Sequence, residues 1–240
     1  MRMMTFAFKS SRVHFIFQNP DDYELFKENG FACDSNSIII KGSGIDLNEF
    51  EFCKPPQNDK LVIVLVARML EDKGVREFKE ASDFLKPEFE NKIKWILVGP
   101  VDNENPSSLT ENELYEMVTP GYFEWVGYQD NIEEFYERSD IVSLPSYREG
   151  LPKSLIEACA IGRPIVTTDA PGCNECVDDG INGYLVPVGD SKELAYKIEL
   201  LVDDESLRID FGRKSRLKAE QEFSIDNVVD KTLKLYSDVI

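Results

Sequence analysis

No apolar run in this 240-residue chain approaches the roughly 20 residues that a membrane-spanning helix needs, and no apolar signal-peptide segment opens it. Both absences predict a soluble chain. A disulfide ladder is missing too: five cysteines, an odd count at irregular spacing, predict a reducing, cytoplasmic setting rather than secretion. Basic charge is scarce. Forty-five acidic residues stand against 27 basic ones, a formal net charge of -18, which repels nucleic acid and anionic lipid as main partners but allows a small basic site. Histidine occurs once, as His14 in an apolar strand, where a core or strand-edge role is expected rather than catalysis. The turn Gly42-Ser43-Gly44 lacks the third glycine of a dinucleotide fingerprint and opens no helix, which argues against a nicotinamide-dependent oxidoreductase. There is no internal repeat and no low-complexity segment.

With 42% hydrophobic and 11% aromatic residues, the chain can bury one large or two modest cores. Residues 1–11 read as the end of an amphipathic helix, and residues 13–18 (VHFIFQ) as a short strand. Asn19 as N-cap and Pro20 at the first helical position then start a helix running to about Gly30. Residues 37–41 read as another buried strand, and residues 57–59, after Pro55-Pro56, as a linker. The near-continuous apolar run 61–67 (LVIVLVA) predicts a central parallel strand buried on both faces, followed by a helix from about Asp72 to Leu85. Strands at 94–99, 123–126, 141–144, 165–167 and 183–186 alternate with helices near 111–119, 132–138 and 192–202. Two helices, 205–222 and 225–239, close the chain. Alternation at this spacing predicts an α/β fold: a Rossmann-like parallel sheet with helices on both faces.

In such a sheet, ligands bind at the carboxyl ends of strands near the point where strand order reverses. The richest strand end lies in residues 143–169, SLPSYREGLPKSLIEACAIGRPIVTTD, a strand, a Glu149-Gly150 corner and a helix opened by Pro152. A helix N-terminus at such a corner offers free amides and a positive dipole end to an anion. Arg68 and Lys73 follow the central strand, where they are either diphosphate ligands or ordinary surface bases. Glu149 and Glu157 are separated by loop and by part of a helix, up to about 17 Å. They are thus open to reading as an acid/base pair or as two grips on an extended ligand. Glu157 can also simply pair with Lys153 one turn back.

The stretch EGLPKSLIEACAIGRPIVTTDAPGCNECVDDGINGYLVP resembles the donor-site signature of the group 1 retaining glycosyltransferases, whose GT-B fold has two Rossmann-like domains. The two glutamates eight positions apart are that family's hallmark, and QNPDD, GSGIDLNEF, ARMLEDKG and WVGYQDN extend the likeness over about residues 13–202. The resemblance implies that Arg68 and Lys73 hold the donor diphosphate and offset charge on the leaving nucleotide without a metal. It implies that the loop of Arg148 and the amides of Gly150, Leu151 and Lys153 meet the phosphates and sugar; Pro152 has no N–H to offer. Glu149 would bind the transferred sugar, Glu157 the ribose, and backbone at Gly127 and Tyr128 would frame the base. The expected donor is a nucleotide-diphosphate sugar, a UDP-hexose or UDP-N-acetylhexosamine, transferred to a glycan or lipid-linked acceptor in polysaccharide biosynthesis. No cofactor or metal beyond that substrate is implied.

Two departures qualify the resemblance. The chain opens in what resembles the last helix of the acceptor domain, so the expected organisation is an acceptor-domain remnant at 1–52, a donor domain at 53–222 and a closing helix at 223–240. An isolated chain of that kind is expected to bind donor but to transfer negligibly, because proximity effects worth roughly 7–11 kcal/mol need an acceptor face. Alternatively it is a non-catalytic subunit that pairs with a separate acceptor-domain chain. The full enzyme would lie in the cytoplasm, peripheral to the inner face of the membrane. Cys176 also replaces the family's usual aliphatic residue, making a lone Cys173-Asn174-Glu175-Cys176, read as structural thiols rather than zinc ligands. The basic residues Arg208, Arg213, Lys214, Arg216 and Lys218 read as a solvated helix face rather than a membrane-facing one.

Overall fold

The computed structural model describes residues 13–239. Its centre is a six-stranded, all-parallel sheet of β3 (Leu61–Val66), β4 (Ile93–Val98), β5 (Phe123–Trp125), β6 (Ile141–Leu144), β7 (Ile165–Thr168) and β8 (Gly183–Val186). The order is β5-β4-β3-β6-β7-β8, so the winding reverses between β3 and β6. This is the α/β, Rossmann-like arrangement expected from the alternation of elements. β3 sits at the reversal, and Ile63, Val64 and Leu65 are fully buried, as a strand covered on both faces requires.

The helices that cover this sheet are α2 (Val75–Phe89), α3 (Glu111–Met117), α4 (Glu133–Glu137), α5 (Lys153–Ile161), α6 (Ser191–Asp203) and α7 (Glu205–Lys218). α2 packs against α6, and α5 against α7. A short π-helical turn, Ala219–Phe223, ends α7 before α8 (Ile225–Val239). The two closing helices thus fall where the sequence places them. The basic face of α7 is solvated only in part, contrary to expectation. Lys214 pairs with Asp210 at the surface, but Arg216 donates inward to the Phe50 and Ala160 carbonyls as well as pairing with Glu220. Lys218 is buried against Asp178 and Glu222, because these side chains tie the helix to the loops beneath it.

A second, two-stranded parallel sheet pairs β1 (Phe15–Phe17) with β2 (Ser37–Ile39), with α1 (Pro20–Glu28) between them. Asn19 caps α1 as expected, its side chain accepting from the Asp22 N–H at 2.7 Å, with Pro20 at the helix start. Phe17 stacks edge-on against Tyr23 and Phe26 at centroid distances of 5.6 and 5.2 Å, which fixes α1 on its strand. β2 is only half-buried, not the buried strand expected, because a two-stranded sheet leaves one face open; Ile40 beyond it is buried. His14 is exposed just ahead of β1. The helix expected within residues 1–11 lies outside the described residues.

One helix differs from expectation in a way that shapes the site. Instead of running from about Asp72 to Leu85, the chain makes a 3-10 turn at Glu71–Lys73, breaks at Gly74 and only then forms α2, which continues to Phe89. Gly74 has φ +72°, and a Cβ there would lie 2.1 Å from the Pro145 carbonyl oxygen. The break exists because this backbone passes hard against the exit of β6. Lys73 is thereby held at the strand end instead of riding on a helix.

Candidate functional site

β3 and β6 are neighbours at the winding reversal, so the loops after them share one corner. Two backbone-directed contacts join these loops. The Tyr147 N–H donates to the Asp72 carbonyl at 2.9 Å, and the Ser146 hydroxyl donates to the same oxygen at 2.9 Å. Lys73 then meets Glu149: its Nζ lies 2.5 Å from Glu149 Oε1, and Ser146 Oγ lies 2.8 Å from the same oxygen, its single proton shared between Glu149 and the Asp72 carbonyl. Both partners are largely withdrawn from solvent, with side chains 17% and 14% exposed. The Glu149 N–H is taken by the Pro171 carbonyl at 3.0 Å, which fixes the corner from behind.

α5 starts directly after this corner, with Pro152 in the cap position and Lys153 as its first residue. Among the described residues, no protein group accepts from the N–H of Gly150, Leu151 or Lys153. Three unpaired donors thus stand at a helix N-terminus beside an ammonium group. Such an arrangement attracts an anion through both the donors and the dipole.

The structure brings together only some of the residues singled out from sequence. Arg68 leaves the same strand as Lys73 but its Nη1 pairs with Asp102 at 2.6 Å, and the side chain is half exposed. Glu157 is buried on α5; its Oε2 accepts from the Tyr136 hydroxyl at 2.9 Å, and Lys153 Nζ lies 3.5 Å from Oε1. The modest Lys153 pairing open from sequence is therefore present. Burial raises the Glu157 carboxyl above its ordinary range, against the opposing effect of the Tyr136 hydrogen bond. Gly127 and an exposed Tyr128 follow the edge strand β5, two strands from β3 and so roughly 10 Å across the sheet. Arg148 pairs with Asp22 of α1, and Leu151 is buried.

Sequence reasoning missed several supports. Tyr136, fully buried, orients Glu157, and only its position near the end of a short helix marked it beforehand. Arg163, also fully buried, donates to the carbonyls of Tyr136, Glu137, Cys53 and Lys54 at 2.9–3.4 Å. It ties the segment entering the sheet to the helix that holds Tyr136. Beside the corner, a cleft of about 400 Å³ is lined by Glu71, Asp72, Arg76, Glu77, Ser107 and Tyr147. With three carboxylates against one arginine, it is the wrong charge for a diphosphate. Cys173 and Cys176 are fully buried, and burial pushes the Cys173 thiol up to about 11 and the Cys176 thiol further. Neutral thiols of this kind pack as small apolar groups.

Residues 48–218 match the family described as Glycosyl transferases group 1. The chain belongs to that family. Among characterised relatives, it is 35% identical over 238 residues to the N,N'-diacetylbacillosaminyl-diphospho-undecaprenol alpha-1,3-N-acetylgalactosaminyltransferase of Campylobacter jejuni, covering 94% of this chain and 60% of that protein. It is 30% identical to the capsular polysaccharide biosynthesis glycosyltransferase CapM of Staphylococcus aureus, over 89% of this chain and 57% of the relative. The chain thus spans about 60% of the length of these relatives. Among solved structures, a glycosyltransferase from Rickettsia africae superposes with a TM-score of 0.86 at 19% identity, over 100% of this chain and 67% of that one. Anabaena HepE in complex with UDP superposes with a TM-score of 0.81 at 21% identity, over 94% and 64%. At these identities the superpositions establish the fold, that of the GT-B glycosyltransferases. Among the described residues, no helix of this group 1 chain is long and apolar enough to cross a membrane.

Proposed function

We propose that this corner binds a nucleotide-diphosphate sugar, a UDP-hexose or UDP-N-acetylhexosamine, as donor for transfer with retention of configuration. The observation that carries the proposal is the Lys73–Glu149 pair set against the unpaired N–H groups of Gly150, Leu151 and Lys153 at the winding reversal. Lys73 and the α5 amides take the diphosphate, and Arg68 swings from Asp102 to join them. The positive charge that stabilises the leaving nucleotide is then supplied by protein groups placed in advance. Glu149, released from Lys73 by the incoming phosphate, accepts from the hydroxyls of the sugar. Glu157 offers the ribose its Oε1, the oxygen not held by Tyr136, and the backbone of Gly127 and Tyr128 borders the base.

Relatives named for undecaprenol-linked and capsular products support a lipid-linked or polysaccharide acceptor. Transfer to that acceptor, in the cytoplasm at the membrane face, is proposed for the protein as a whole. For the 240-residue chain the proposal is donor binding. Calorimetric titration with UDP and UDP-sugars tests it. Absence of binding at millimolar ligand, or undiminished binding by the Arg68→Ala, Lys73→Ala double variant, refutes it.

A further inference from the structure

The corner that carries Glu149 is also gripped from the other sheet. Asn19 is fully buried, and its amide makes three contacts that together define its orientation. Oδ1 accepts from the Asp22 N–H at 2.7 Å, while Nδ2 reaches Asp22 Oδ2 at 3.0 Å and the Gly150 carbonyl at 2.6 Å. The first contact caps α1. The last spans 131 positions of sequence and ends on the peptide between Gly150 and Leu151. Two neighbours reinforce the grip. Asp22 holds Arg148, and a Cβ on Gly150 would lie 2.5 Å from Gln18 Oε1, so the corner passes close beneath this segment. Gln18, Asn19 and Asp22 thus bracket Arg148–Gly150, with α1 anchored in turn by its aromatic packing.

In a trans peptide, the C=O and the following N–H point to opposite sides. Holding the Gly150 carbonyl toward α1 therefore turns the Leu151 N–H away from α1, as one of the unpaired donors at the head of α5. Among the described residues, the Gly150 carbonyl has no other hydrogen bond, so without that hold only packing against Gly172 and the buried Leu151 side chain orients the 150–151 peptide. We propose that Asn19 is a positioning residue for donor binding: it sets the Gly150–Leu151 peptide so that the Leu151 N–H faces the diphosphate. The inference rests on the donor reading of the site and adds to it a working part from outside the central sheet.

Serine and threonine are themselves good N-caps, so Asn19→Ser keeps the capping acceptor and removes the amide donor, and with it the reach to Gly150 and the bond to Asp22 Oδ2 within the cap. The expected result is a melting temperature within about 2 °C of the parent chain, with amide resonance shifts centred on Gly150 and Leu151 and about tenfold weaker UDP binding. Amide exchange within α1 stays unchanged, which a general loss of structure would not allow. Asn19→Thr serves the same test should the serine variant fold poorly. A folded variant with parental amide resonances at Gly150 and Leu151 and parental UDP affinity overturns the inference alone. A parent chain that binds no UDP overturns the donor reading, and the inference with it.

Discussion

Replacing Lys73 by methionine separates the two jobs that the Lys73–Glu149 pair performs. The ammonium lies 2.5 Å from Glu149 Oε1 in surroundings where both side chains are less than one-fifth exposed. Two unit charges about 4 Å apart near a protein surface interact by about 4 kcal/mol, and a charge-assisted hydrogen bond is worth about 1.5–3 kcal/mol net. Losing Lys73 as a phosphate ligand should therefore weaken UDP binding by about 10- to 100-fold. The same substitution strips Glu149 of its cation, leaving a carboxylate supported by the Ser146 hydroxyl alone and facing the incoming diphosphate. Its repulsion adds to the loss. Hence Lys73→Met combined with Glu149→Gln should bind UDP more tightly than Lys73→Met does. Glu149→Gln alone should leave UDP affinity unchanged or improved, because Lys73 is freed, while the added affinity contributed by the sugar of a UDP-sugar falls. Isothermal titration of the four proteins with UDP and a UDP-sugar reads each term. Parental UDP affinity in Lys73→Met, or a double variant no better than that single one, refutes the reasoning.

Glu157 carries a pH signature. Its folded-state carboxyl is raised by burial above the ordinary 4.5, so the native state holds the proton more tightly than the unfolded chain. That contribution to stability is complete below about 4.5 and is lost as pH rises through the folded value. Glu157→Gln should gain on the parent in urea unfolding between pH 4 and pH 7, and a pH-independent difference would exclude the effect. Arg163→Met leaves the carbonyls of Cys53, Lys54, Tyr136 and Glu137 without their donor. A loss of about 3 kcal/mol or more is expected in the same assay, and under 1 kcal/mol would contradict the clamp. Gly74→Ala forces a side chain into left-handed backbone and against the Pro145 carbonyl. About 3 kcal/mol of destabilisation, a melting shift of roughly 6–12 °C, should follow; an unshifted transition would show that the break after Lys73 is not demanded by β6.

Local physics wrote much of this protein into its sequence. Burial on both faces makes residues 61–67 a continuous apolar run, and strand–helix alternation admits few arrangements other than a parallel sheet. Asn19-Pro20 announces a helix start because the cap bond is local. Short-range signals of this kind survive in one dimension, and so did the strand ends where Lys73 and Glu149 sit. What the tertiary structure decided is long-range. Lys73 and Glu149 are 76 positions apart, and only the reversal between β3 and β6 makes them partners. Arg68, read beside Lys73 in sequence, turns instead to Asp102 on a later loop. The break at Gly74 answers to a carbonyl 71 positions downstream, at Pro145. Asn19 reads as a helix cap and nothing more until the fold sets Gly150 against its free N–H. A side chain's nearest residues in sequence determine how its own backbone turns, but its hydrogen-bond partners across the molecule depend on how the strands are ordered.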